Sequence, residues 1–466
     1  MKGMKLIEPK ITPPLDENFR PAVLANHTFL DEVKSSGEGV PLKIALERSE
    51  GSESVFETEV FSEDFEKSSE NFMYVERLVK CLLWIRGGWK ITIGGPKNIG
   101  EHIKKVYSSD GKRKFDANFM GNLYEKPFTV EVTDYESAPE EQERWEEIDR
   151  NIKGCRIGFD LGVSDRKSAA VIDGEPEYTE EIPWDPGEKS DPQYHYDEIM
   201  DSLQNAVEHL PRVDCIGGSA AGVYINNRAR VASLFRAIPD DLFEEKIKNI
   251  FLNLREEWGV PFKVMNDGEV TALAGSMSLD ANGVLGIAMG SSEAGGYVTR
   301  EGNLTEWLNE LAFAPVDFHP DASVDEWSGD RGCGARYFSQ QAAFRLASKV
   351  GIKLDEDMPK TEKLEYIQDL LEERDDEKAK KIFETIGCYL GYGIAHYADF
   401  YDLQYVLLLG RVTSGRGGKI LMKKAQEVLD KCFPDLAERI ELNMPSEKER
   451  RVGQAAAAAS LPSLND

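Results

Sequence analysis

The chain has 466 residues, 41% hydrophobic and 30% charged, the balance of an ordinary globular protein, and its length predicts roughly two to four domains rather than one core. Lys and Arg number 56 against 84 Asp and Glu, a net charge of −28, which repels phosphate backbones and anionic bilayers and so argues against nucleic-acid and membrane partners. The six cysteines stand singly and the N-terminus has no apolar leader core, which argues against a disulfide framework and predicts a reduced, cytoplasmic setting.

Residues 1 to about 40, rich in Pro and charge, predict an extended arm. "LKIALERSEGSESVFETEVF" predicts a hairpin around a Ser/Glu/Gly turn. In "SSENFMYVERLVKCLLW", Phe72, Val75, Leu78, Val79 and Leu82 recur at helical spacing after serine caps. "GGWKITIGG" predicts a strand, and the acidic "ESAPEEQERWEEIDRN" a linker or solvated helix. These pieces make residues 1–150 a small α+β domain of unassigned role, without a helix-turn-helix signature. From Cys155 the pattern becomes hairpin, helices, second hairpin, helices. That order predicts two α/β lobes, 151–267 and 268–466, with a cleft between them and the Ala-rich "RVGQAAAAASL" as a closing helix.

Four stretches carry candidate chemistry. In "GFDLGVSDRKSAAVID", Asp160 and Gly162 lie on a tight hairpin, where a glycine lets a phosphate approach the backbone. Ser164, Arg166 and Lys167 add a hydroxyl and two cations at its tip; an ordinary polar turn is the other reading. In "GIAMGSSEAGGYV", Gly290, Ser291 and Ser292 make a small-residue turn suited to an anion. In "LLLGRVTSGRGGK", Gly410 follows a buried strand and leads to a helix, a place for a nucleotide, although neither a Walker A loop nor a G-x-G-x-x-G fingerprint is present. In "VPFKVMNDGEVTALAGSM", Asn266 with Glu269 fits a helix-capping box. Asp267 stands at the carboxyl end of a strand, where α/β proteins collect ligands, and is a candidate general base. A fifth stretch holds Glu310, Asp317, His319, Asp325, Glu326, Asp330 and Cys333, but at spacings poor for tetrahedral zinc.

Taken in order, these stretches resemble the ROK family (repressors, open reading frames and sugar kinases) of the actin-like ATPase superfamily, over residues 155 to 462. "GFDLGVSDRKSAAVID" is similar to the family's first phosphate motif, "VMNDGEVTALAGSM" to its N-D-A-N-A-A-A-L-G-E segment, "GSSEAGGYV" to its second phosphate motif and "VGQAAAAAS" to its closing helix. The resemblance implies a two-lobed actin-like (ribonuclease H-like) α/β fold after the α+β domain, and an ATP- and Mg-dependent sugar kinase. It implies Asp267 as the base that deprotonates the sugar hydroxyl, with Asn266 and Glu310 binding the sugar. Asp160, Gly162, Ser164, Lys167, Gly290, Ser291 and Ser292 would serve the phosphates, Asp160 would meet Mg through water or ATP, and Gly410 would line the adenosine site. A homodimer stays open.

The chain departs from the family pattern where a structural zinc site and part of the sugar pocket are usual. Phe313 stands for a His, Glu326 and Ser328 for two cysteines, and Ala335 for a Glu, so no zinc site is expected. Val163 and Arg411 replace further glycines. A sugar-sensing regulator that has kept the fold without turnover is the alternative.

Overall fold

The computed structural model describes residues 3–146, 148, 152–445 and 447–464, with side chains described for all of these but 146 and 447–452. In chain order the first elements are α1 (Ala22–Ser36), β1 (Gly39–Ser49), β2 (Ser52–Phe61), α2 (Asn71–Arg86), β3 (Lys90–Gly94), α3 (Lys97–Val106), α4 (Lys114–Tyr124) and β4 (Thr129–Thr133). Next come β5 (Trp145–Glu146), β6 (Cys155–Leu161), β7 (Asp165–Ile172), β8 (Glu175–Pro183), α5 (Pro192–Val207), β9 (Cys215–Ala220), β10 (Val223–Ile225), β11 (Arg228–Val231), α6 (Asp240–Leu242), α7 (Ile250–Trp258), β12 (Phe262–Asn266) and α8 (Asp267–Leu279). The last are β13 (Val284–Met289), β14 (Glu293–Val298), β15 (Leu304–Thr305), α9 (Gln340–Lys349), α10 (Lys360–Arg374), α11 (Glu377–Tyr397), β16 (Tyr405–Leu409), α12 (Gly415–Cys432), α13 (Pro434–Arg439), β17 (Glu441–Asn443) and α14 (Glu447–Ala458). The sheets run β2-β1-β3-β4, β12-β9-β6-β7-β8 and β17-β16-β13-β14-β15-β5, beside the β10-β11 ribbon. Among the described residues no helix is long and apolar enough to cross a membrane.

The elements gather into two compact units that do not follow the chain. One comprises Met1–Arg144, Ala288–Ala294 and Glu306–Leu442; the other comprises Trp145–Ile287, Gly295–Thr305 and Asn443–Asp466. Sequence boundaries at 150 and 267 divide the chain differently, because they treat it as consecutive blocks.

In the second unit, strands β6, β9 and β12 are parallel neighbours. Side chains alternate across a strand, and Ile157, Phe159 and Leu161 of β6 pack in one core with Leu203 of α5 and Phe251 of α7. The even-numbered positions point to the other face, which α14 covers. Contact there is so close that a Cβ at Gly158 or Gly217 would overlap the carbonyl of Ala455 or Ala458. Small residues on both sides let helix and sheet meet backbone to backbone.

In the first unit, the expected arm is extended only as far as residue 21. Residues 22–36 form α1 because Val23, Phe29 and Val33 bury one helical face, a periodicity masked by the prolines before it. The extended part is tied down. The Ile11 N–H donates to the Tyr392 hydroxyl at 3.1 Å and the Leu15 N–H to Thr385 Oγ1 at 3.2 Å. Asp16 accepts from the Tyr389 hydroxyl at 2.5 Å and pairs with Arg345 at 3.2 Å. Phe19, 1% exposed, lies among the rings of Tyr337, Tyr389 and Tyr392. The acidic stretch from 136 begins in a short 3-10 turn, Tyr135–Ser137, and is extended beyond it where described: Gln142 bridges Glu53 and Trp145–Glu146 form β5. Residues 147 and 149–151 of that stretch lie outside the described residues.

Candidate active site

In the second unit, the parallel register sets Asp160 beside Ser219, and Asn266 beside Ala220, so three neighbouring strands end together. Asp160 is buried; its Oδ1 accepts from Ser219 Oγ at 2.6 Å and its Oδ2 from Lys167 Nζ at 3.2 Å. Burial raises its pKa, while Lys167 and Ser219 oppose the rise by favouring the charged form. Lys167 also bonds Asp165 at 2.6 Å. Of the two cations expected at this hairpin, Arg166 is withdrawn. Adjacent strand residues face opposite ways, and its guanidinium binds Glu198 at 2.8 Å, Asp201 at 2.5 Å and Ser202 at 2.5 Å. Gly162 and Ser164 form the turn: the Gly162 N–H donates to the Asp165 carbonyl at 2.9 Å, and Ser164 Oγ to Asp165 Oδ2 at 3.0 Å.

Asn266 caps α8. Its Oδ1 accepts from the Gly268 N–H at 2.7 Å and its Nδ2 donates to the Gly222 carbonyl at 2.6 Å. Asp267, the first residue of α8, is half-buried. Its Oδ1 shares the same Gly268 N–H at 3.0 Å, and Gln454 of α14 donates to its carbonyl at 3.3 Å. Desolvation, with a further contribution from the Asp160 charge, pushes the Asp267 carboxyl up to about 6. A carboxylate so raised is a better proton acceptor near neutrality than an ordinary surface Asp.

In the first unit, Ser291 and Ser292 are exposed at the tip joining β13 to β14, where the Gly290 N–H donates to the Ser292 carbonyl at 3.0 Å. Gly410 ends β16 beside that tip. Its φ of +92° and the place of its Cβ, which would overlap the Met289 carbonyl, permit no other residue. Gly290, Ser291, Ser292 and Gly410 are therefore brought together, as are Asp160, Lys167, Asn266 and Asp267 in the other unit. Glu310 sits in a separate segment of the first unit, half-buried, where its N–H donates to the Trp84 carbonyl at 3.0 Å.

Two buried polar residues beside these segments have no signature in the sequence. Ser219 reaches Asp160 only through strand pairing across 59 residues. Glu293, 2% exposed at the start of β14, accepts from the Tyr397 hydroxyl at 3.0 Å, while its other oxygen has no hydrogen-bond partner among the described residues. Burial pushes this carboxyl up to about 8, with the charge of Glu310 adding to the effect. Its place inside a glycine-rich hairpin disguised it as a turn residue.

The acidic stretch after Glu310 spends its carboxylates on the protein. Asp317 accepts from the Tyr337 hydroxyl at 2.6 Å, Asp325 from the Ser328 hydroxyl at 2.6 Å, and Asp330 from three cations. Among the described residues no group of three or more His, Cys, Asp or Glu could hold a metal. Arg336 is half-buried, its guanidinium on Ser323 at 3.0 Å and Gln341 at 2.7 Å.

The mixed α/β fold of the chain matches that of solved ROK proteins. Among solved structures the chain is similar to a ROK hexokinase from Thermus thermophilus, at 18% identity and a TM-score of 0.52 over 67% of this chain and 99% of that one. It is similar to a ROK family glucokinase from Streptomyces griseus in complex with glucose and AMPPNP, at 18% identity and a TM-score of 0.50 over 66% and 99%. It is also similar to a ROK family transcriptional regulator, a homolog of the E. coli MLC protein, at 17% identity and a TM-score of 0.51 over 67% and 79%. No protein-family model matches the chain, and no curated protein does.

Proposed function

We propose that the chain is an ATP- and Mg²⁺-dependent carbohydrate kinase in which Asp267 takes the proton of the sugar hydroxyl. The observation that carries this reading is the placement of Asp267: a half-buried carboxyl with its pKa raised to about 6, at the carboxyl ends of parallel strands and beside the field of Asp160. Asn266 spends one amide proton and its oxygen on capping, which fixes the start of α8 and leaves its second amide proton for a sugar oxygen. Glu310 is the second sugar ligand.

The donors fit a magnesium nucleotide. Asp160 offers one carboxylate, and Mg²⁺ keeps water and leans on substrate phosphates rather than on a protein cage. The small-residue tip Gly290–Ser292, its two serines exposed, stands beside Gly410 and suits phosphates and nucleoside. When bound, Mg-ATP supplies the electrophilic phosphorus and neutralises the charge that phosphoryl transfer develops. Lys167, already on Asp160, adds a cation beside that carboxylate.

The test is ADP release with Mg-ATP across hexoses, amino sugars, acidic sugars and polyols, run beside Asp267→Asn. Sugar-dependent turnover is expected, falling by about two to four decades in the variant. In the parent, the acid limb of kcat/KM is expected at or below pH 6, because a divalent cation at Asp160 cancels the charge that helps raise Asp267. The second reading, a sugar-sensing regulator, is favoured by the Lys167 ammonium resting on the carboxylate that would serve the metal. Absence of turnover with every sugar, while ATP or a sugar still raises the melting temperature, would select it.

A further inference from the structure

The end of α2 meets the segment that carries Glu310. A helix leaves its last carbonyls without intrahelical partners. In α2 the carbonyls of Trp84 and Ile85 accept from the N–H groups of Glu310, at 3.0 Å, and Asn309, at 2.8 Å. The Trp84 indole then stacks on Phe313 at 4.1 Å between centroids. The segment from 309 to 313 thus caps the end of α2, and α2 fixes its backbone.

A second contact acts on the same segment. Pro315 bridges Cys333, and Val324 bridges Arg331, so the loop from 324 to 333 folds back on the chain just after Glu310. Asp330 in that loop accepts from Arg77 of α2 at 3.1 Å, from Lys80 of α2 at 3.3 Å and from Arg113 at 2.7 Å. Glu76 holds Arg77, at 2.8 Å, and Arg113. Asp116 accepts from Lys80 at 2.9 Å and from the Trp84 indole N–H at 2.6 Å. All six charged residues are buried. Three cations thus face three carboxylates, a balance that makes a buried cluster sustainable.

We infer that α2, with the Arg77–Lys80–Arg113–Asp330 cluster, is the positioning element of Glu310, so that the N-terminal region sets how the substrate segment is presented. The inference rests on the reading of Glu310 as a sugar ligand. A ligand on a short segment keeps its geometry only where surrounding groups hold the backbone, and here those groups come from outside the segment. Arg77, Lys80, Arg113 and Asp330 are positioning residues: they act through the backbone of Glu310.

The test uses the full chain and Asp330→Asn. In hydrogen–deuterium exchange, amides of 306–316 are expected to exchange at least about tenfold faster in the variant, while those of β12 and α8 keep the parent rate. With the panel sugar of highest kcat/KM, the sugar KM is expected to rise about tenfold while kcat and the ATP KM stay within about threefold. Asp330→Glu is expected to recover most of both effects. Parent-like exchange over 306–316 in a folded variant overturns the inference, as does a fall in kcat with both KM values worsened together. If no sugar turns over in the parent, the kinase reading fails and the exchange arm alone decides this one. Should Asp330→Asn fail to fold, Arg113→Lys, which leaves Arg77 and Lys80 on Asp330, is expected to move exchange and sugar KM the same way by smaller factors, and its failure to move either overturns the inference.

Discussion

Asp267 and Glu293 are both carboxyls raised mainly by burial, yet their consequences differ. For Glu293, held near 8 against an ordinary value near 4.5, the folded chain keeps a proton that the unfolded chain gives up as pH rises past 4.5. Folding stability therefore falls from pH 4.5 towards 8. Glu293→Gln keeps the acceptor for Tyr397 and removes the titration. Its melting temperature, followed by circular dichroism, is expected to fall less than the parent's between pH 5 and 8, with the variant no less stable at pH 8. A parallel pair of curves would mean that Glu293 does not carry this proton. Residue by residue, the sequence made Asp160 and Asp267 visible because each sits beside a glycine or a cap at a strand end. Ser219 and Glu293 stayed hidden, since strand pairing and burial, rather than neighbours in the chain, give them their contacts.

At the scale of elements, glycine punctuation and apolar runs sufficed to place both hairpins, the strand leading to Asp267 and the Ala-rich closing helix. The closing helix also explains two glycines that no local rule requires. Gly158 and Gly217 exist because α14 lies against β6 and β9 with its carbonyls where side chains would be. Gly158→Val pits a side chain against backbone that cannot rotate away, and overpacking of this kind costs about 1–3 kcal/mol or more. Chemical denaturation is expected to report at least that loss, with Asp160, two residues further along the same face, disturbed as well. A neutral Gly158→Val would mean that α14 can shift without harm. What the pattern of prolines hid was α1, whose three apolar anchors are spaced as a helix demands but follow a stretch that reads as extended. Equally hidden was the end of α2. Its sequence announces a helix, and nothing in it announces that Asn309 and Glu310 will satisfy its last carbonyls.

The whole molecule is knit from segments far apart in the chain, and the N-terminal arm is the plainest case. Its ties join Ile11 to Tyr392, Leu15 to Thr385 and Asp16 to Tyr389, across 381, 370 and 373 residues. Synthesis proceeds at about 5–20 residues per second, so roughly 20–75 s separate the making of the arm from the making of its partners. Chains stalled on the ribosome at residue 380 are expected to lose the arm to a protease that spares it in the finished protein; an arm protected at that stage would mean it packs without α11. The arm thus waits for α11, far along the chain, before these contacts can form. Until Tyr337, Tyr389 and Tyr392 have all been made, Phe19 lacks part of the ring cage that later encloses it, and the newborn chain is then more prone to stick to other copies of itself.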